Sequence, residues 1–194
     1  MSPRFLPLCA LLLAAGSAFA SGPKLKSGVF EPARMAPEIA QKAADGSAFK
    51  LSALRGKVVV LEFGFTHCQE VCPVSLSLLA EARRKMGAEA EQLQVVFVSV
   101  DPERDTPQRL KTYLAQFDKS FIGLTGTPEQ MATIRKDYGI TATKQPVGGS
   151  KTDYLMGHSS YLYFIDKQGK LRALMPYGRP AGEIVHDTRL LAKE

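Results

Sequence analysis

Two apolar runs dominate the hydropathy pattern, VVVLEF at 58–63 and LQVVFVSV at 93–100. Runs this short, rich in β-branched residues and bounded by turn formers, predict strands covered on both faces. Between them Leu78, Leu79, Ala82 and Met86 recur at helical spacing, and Gly87 is a natural stop. Strand, helix and strand make a βαβ unit, for which a right-handed crossover is expected. Upstream, Asp45-Gly46 is a hairpin turn signal leading into a short strand at 48–51, and residues 54–57 turn the chain into the first apolar run.

Downstream, Thr106-Pro107 reads as an N-cap followed by proline at the first helical position, with Leu110, Tyr113, Leu114 and Phe117 as the buried stripe. Residues 121–124 predict a short strand. Thr127, Pro128 and Gln130 form a capping-box pattern opening a helix to about Tyr138. From Gly139 to Gly157 no apolar pattern is sustained, which predicts a long exposed loop. Tyr161–Ile165 and Leu171–Met175 read as an antiparallel hairpin across Asp166–Gly169, and 181–191 as a closing helix. No internal repeat is evident. The order predicts an α/β, thioredoxin-like fold, a mixed sheet flanked by helices with an insertion before the C-terminal hairpin.

The first 20 residues read as an export signal rather than structure. Arg4 is the positive region, Phe5–Ala15 the apolar core and Ala18-Phe19-Ala20 the cleavage site. An uncleaved membrane anchor is the competing reading, but a span needs about 20 consecutive apolar residues and this stretch is shorter. Residues 21–44, rich in proline and lysine, are expected to be a tether, leaving 45–194 as one domain. Without Arg4 the chain holds 24 basic and 19 acidic residues, a net charge of +5. The basic residues are scattered and no aromatics interleave with them, which argues against a nucleic-acid partner. Cys9 leaves with the signal, so Cys68 and Cys72 must be explained as a pair and not as a disulfide framework.

Cys68 and Cys72 stand between the first apolar run and Pro73, which fits a first helical turn because it has no N–H to lose there. In open α/β sheets, chemistry gathers outside the carboxyl ends of strands, and a helix N-terminus there favours thiolate over thiol. A disulfide closing so short a loop stabilises little, on the order of 2 kcal/mol, so the pair reads as chemistry. Three residues separate the cysteines, where thioredoxin-type redox centres have two. On a helical turn their Cβ atoms would lie roughly 5–6 Å apart, a span that two bonds of about 2.3 Å to one ion can bridge. Spacing alone leaves chelation and redox work both open. His158, just before a strand, is the candidate third donor, against the bland alternative of a hydrogen-bonded histidine. Two thiolates and one imidazole suit Cu(I) or Zn(II), and copper leads the affinity order. His67, His186, Met156, Asp101 and Asp105 are set aside as, respectively, a ligand's neighbour, a solvated helix residue, a packing residue, and turn and cap residues.

The segments GFTHCQEVCP, SVDPERDTP, FIGLTGT and GHSSYLYFID, in this order, resemble the SCO/SenC family of copper-binding proteins involved in cytochrome c oxidase assembly. The likeness runs from about Asp45 to Tyr177. It implies one copper ion, Cu(I) or Cu(II), held by Cys68, Cys72 and His158, and a role in metallating the CuA centre of oxidase subunit II. That role would be copper delivery, reduction of the centre's cysteines, or both. A periplasmic thiol reductant and another copper carrier would be further partners. Two positions depart from the family pattern: Gln69 where proline is common, and Gly157 where an aspartate often precedes the ligand histidine. The expected protein is therefore an exported, periplasmic copper chaperone. The rival is a thiol-disulfide oxidoreductase in which Cys68 and Cys72 are catalytic. A peroxide-reducing enzyme would need an arginine beside the thiolate, and none is near in sequence; a copper or redox sensor is the remaining alternative.

Overall fold

The computed structural model describes residues 24–148 and 153–194, so the expected export signal lies outside the described residues. The first apolar run forms β4 (Val58–Gly64), buried along its whole length at the centre of a six-stranded sheet. The strands on one side of it, β5 (Leu93–Ser99) and then β6 (Ile122–Leu124), are parallel to their neighbours. On the other side β9 (Tyr161–Ile165), β10 (Lys170–Pro176) and β1 (Gly28–Met35) pair antiparallel. The sheet order β1-β10-β9-β4-β5-β6 is thus mixed, as the βαβ half and hairpin half require. A hairpin of β2 (Ala40–Lys42) and β3 (Ala48–Lys50) precedes β4, turning at Gly46 with φ +89°.

Among the described residues, four α-helices cover the sheet. The first, α1 (Val71–Met86), buries Cys72, Ser75, Leu76, Leu79, Ala80, Ala82, Arg83 and Met86 and stops at Gly87, φ +56°. It packs against α4 (Ala181–Lys193) on the face carrying Glu62 and Gly64. On the same face, Leu110 and Leu114 of α2 (Pro107–Leu114) close on Gly123. The other helix, α3 (Pro128–Asp137), keeps the expected capping box and leads to Tyr138, whose ring meets Phe63 and Tyr163 on the opposite face. Phe63, Phe97, Phe164, Leu61, Leu76 and Leu79 are among the fully buried side chains, each worth roughly 1.5–3 kcal/mol of burial. No helix of the described residues is long and apolar enough to cross a membrane.

Two expectations are corrected. Residues 28–42, within the expected tether, hold β1 and β2. The edge strand β1 pairs with β10 across a register shift between Val29 and Arg34 that accommodates Pro32, which has no N–H for a ladder. Just ahead of it, the Lys26 and Ser27 N–H groups donate to the Asp187 carboxylate of α4 at 2.7 and 2.9 Å. Residues 139–157, expected as a loop, contain a second hairpin, β7 (Ala142–Pro146) with β8 (Tyr154–His158), outside the main sheet. Its strands hide little apolar surface, so the hydropathy pattern carries no strong trace of them.

Candidate metal centre

β4 ends at Gly64, and a six-residue connection leads to α1. Cys68 lies half-buried in that connection; Cys72 is the second residue of α1 and only 1% exposed. Both are free thiols. The Cys72 N–H, one of the helix's unpaired first-turn donors, points at Cys68 Sγ from 3.4 Å. Pro73 follows in the same turn, as its missing N–H allows. The wall behind the pair is so close that a Cβ on Gly64 would stand 2.8 Å from Cys72 Sγ and 2.7 Å from Phe97 Cζ.

His158 ends β8, and its Nε2 lies 3.9 Å from Cys72 Sγ. Its Nδ1 sits 2.8 Å from the Ser159 carbonyl oxygen, which can only accept, so Nδ1 carries the proton. The neutral ring then keeps its lone pair on Nε2, on the side of the sulfurs. Phe65 holds the ring edge-to-face at 5.6 Å. Two sulfurs and an imidazole nitrogen 86 residues away in sequence are thus brought together.

The two thiols are electrostatically unequal. The Cys72 thiol donates to Cys68, and further hydrogen bonds come from the N–H groups of Cys72 and Glu70. Against the opposing effect of burial they hold Cys68 down at about 3. The same thiol–thiol bond, then burial and the nearby Glu62 charge, push Cys72 far up. Cys68 is a thiolate beside solvent and Cys72 a buried thiol. Metal–sulfur bonds of about 2.3 Å and metal–nitrogen bonds of about 2.0–2.1 Å, opened to about 120°, place sulfur and nitrogen about 3.8 Å apart. No three His, Cys, Asp or Glu side chains among the described residues already stand at metal-holding spacing. The 3.9 Å gap is nevertheless close to that requirement. The donor set is soft and fits a cuprous or cupric ion.

The other candidates fall elsewhere. His67 is exposed beside the Thr66 hydroxyl, and burial followed by the Arg109 and Arg104 charges lowers its pKa. Met156 is half-buried against the core, an ordinary packing position. His186 is not simply solvated: its Nδ1 lies 2.8 Å from Asp187 Oδ1. Asp101 and Asp105 are fully buried, beyond the turn and cap roles expected of them. Asp105 accepts from the Thr66 and Ser99 hydroxyls, each at 2.6 Å. Sequence distance also misleads about arginine, because Arg109 Nε donates to Thr66 Oγ1 at 2.7 Å.

Glu62 is a site neighbour that the sequence pattern hides within an apolar run. It is buried on β4, its Oε2 lacks a partner, and burial drives its carboxyl up to about 8 against the pull of the Ser75 hydroxyl. The signal was a single charged residue in a strand covered on both faces. Phe65 was a second omission; an aromatic residue three positions before Cys68 offered no pattern to find it.

Comparison with known proteins decides the lineage. A sequence model of SCO1/SenC matches residues 32–193. The chain belongs to the SCO1/SenC family. A Stutzerimonas stutzeri relative is 38% identical over 140 residues, 72% of this chain and 68% of that protein. Mitochondrial protein SCO2 of Saccharomyces cerevisiae is 37% identical over 127 residues, 65% of this chain and 42% of its own length. Among solved structures, Bradyrhizobium japonicum ScoI with copper bound superposes with a TM-score of 0.74 at 34% identity, covering 81% of this chain and 99% of that one. This SCO1/SenC chain therefore has the thioredoxin-like fold of its family, with the β7–β8 hairpin as the insertion ahead of β9 and β10.

Proposed function

We propose that this SCO1/SenC protein is an exported copper chaperone that carries one copper ion on Cys68, Cys72 and His158. The observation that supports it is the approach of the His158 Nε2 lone pair to the thiol pair at the carboxyl end of β4. Copper is the metal bound in the Bradyrhizobium relative and the one the sulfur-rich donor set favours. Cys68 arrives already deprotonated, Cys72 must give up its proton, and His158 must be neutral, so copper uptake releases protons. The proposed destination is the CuA site of oxidase subunit II, and the proposed compartment the periplasm, which the apolar stretch ahead of Ala18-Phe19-Ala20 supports. A periplasmic thiol reductant would keep the pair reduced for loading, since an oxidising compartment favours the disulfide.

A second reading rests on the inequality of the thiols. Cys68 thiolate would attack a target disulfide and form a mixed disulfide while the target's other sulfur leaves. Cys72, once deprotonated, would attack Cys68 and release the target's second thiolate. Two electrons pass to the target, and the protein is left as the Cys68–Cys72 disulfide. Copper content and electron paramagnetic resonance of protein loaded with copper, compared across the wild type, Cys68→Ser, Cys72→Ser and His158→Ala, test the first reading. Each variant is expected to lose affinity and change the spectrum. An unchanged His158→Ala removes the histidine from the site, and robust disulfide reduction by that metal-free variant moves the weight to the second reading.

A further inference from the structure

The hairpin bearing His158 shares no ladder with the main sheet, so side chains must seat it. Tyr154, Met156 and His158 occupy one half-buried face of β8 while Leu155 and Gly157 are exposed. At the far end of that face from His158, the Tyr154 hydroxyl donates to Oδ1 of the fully buried Asp101 at 2.5 Å. Arg104 Nε donates to the other oxygen of Asp101 at 2.5 Å, and its Nη1 to the Tyr154 carbonyl at 3.1 Å. The guanidinium lies 3.8 Å from the centre of the Tyr154 ring and 5.9 Å from that of Phe65, and Phe65 is the ring against which His158 rests. Asp105, four residues past Asp101, anchors Thr66 by its N–H and hydroxyl. One network, buried at Asp101 and Asp105 and half-buried at Arg104 and Tyr154, thus ties the connection carrying Cys68 to the hairpin carrying His158.

The geometry points to Arg104 and Tyr154 as positioning residues that set where His158 stands relative to the two sulfurs. Neither reaches the sulfurs through any hydrogen bond described for them. Arg104 fills the space between the Tyr154 and Phe65 rings, with its charge neutralised by Asp101, so the hairpin is held by stacking and by charge-assisted hydrogen bonds together. A part-buried, charge-anchored contact has one favoured arrangement, which suits a ligand contributed by a hairpin outside the main sheet. The inference rests on the reading of His158 as a copper ligand.

Tyr154→Leu removes the ring and hydroxyl; Tyr154→Phe keeps the ring over Arg104 and removes only the hydroxyl. In reduced, metal-free protein, Tyr154→Leu is expected to speed amide exchange in β8 by on the order of tenfold or more and to shift the His158 ring resonances, with Tyr154→Phe intermediate. Exchange in β4 and β5 should be unchanged, which shows that the fold is intact. In copper-loaded protein, the Tyr154→Leu spectrum is expected to move toward that of His158→Ala. Unchanged β8 exchange and His158 resonances in Tyr154→Leu overturn the proposal. So does a loosened hairpin whose copper spectrum stays that of the wild type while His158→Ala differs. A wild-type spectrum in His158→Ala overturns instead the ligand assignment, and the metal-free measurements still judge the positioning role.

Discussion

Glu62 places a carboxyl inside the sheet, one oxygen unpaired, and the stability of the protein should record it. Its folded-state pKa is pushed up to about 8 by burial, from an ordinary value of 4.5. Because the folded state holds this proton more tightly than the unfolded chain, stability is greatest below the unfolded value, falls as pH rises, and levels off above the folded value. At about 1.36 kcal/mol per pH unit the full loss amounts to about 5 kcal/mol, of which about 3 kcal/mol has accrued by pH 7. Glu62→Gln keeps shape and polarity but has no proton to lose. Denaturant unfolding of reduced, metal-free wild type and variant between pH 4.5 and 8.5 should give curves that nearly meet at the acid end. By pH 7 the variant should be more stable by about 3 kcal/mol. The cysteines titrate in both proteins, so the difference reports Glu62 together with its electrostatic coupling to them. A gap between the two that is constant across this range, or a variant that is the less stable one at pH 7, refutes the assignment of a buried, proton-retaining carboxyl.

The thiols should differ in reactivity. Alkylation of Cys68 with iodoacetamide is expected to be nearly independent of pH from 5 to 8, because its pKa lies at about 3, whereas an ordinary thiol gains about tenfold per unit there. Cys72, 1% exposed, should stay unmodified until unfolding, as peptide mass analysis would show. Gly64→Ala forces a Cβ to 2.8 Å from Cys72 Sγ and should cost about 1–3 kcal/mol in chemical denaturation, along with weaker copper binding. Removing residues 21–35 deletes β1 and the Ser27 bonds to Asp187. It should lower the melting temperature by several degrees, on the scale of about 2–4 °C per kcal/mol for a domain near this size; a shift of zero would restore the tether.

What the sequence made legible follows from where apolar side chains go. β4 and β5 are covered on both faces, so their pattern is unmistakable, and α1 is marked by its buried stripe and by Gly87. The caps at Thr106 and Thr127 were equally readable, because a cap is a local bond between residues three apart. β1 was not, since its order comes from β10 and α4, more than 130 residues away, and its own residues are mostly exposed. The β7–β8 hairpin escaped for the same reason. Its three half-buried residues, Tyr154, Met156 and His158, do alternate, but three positions are too few to separate from chance. At the site, Cys68, Cys72 and His158 were found as residue types able to bind metal. Arg104 and Tyr154 were not, and Asp101 was read only as a turn residue, because all three act by holding a strand in place. Chemistry-bearing residues announce themselves by composition. The residues that aim them are visible only once the chain has brought distant segments together, and the histidine of this site depends on them more than either cysteine does, since both cysteines are held by one short stretch of chain at the start of α1.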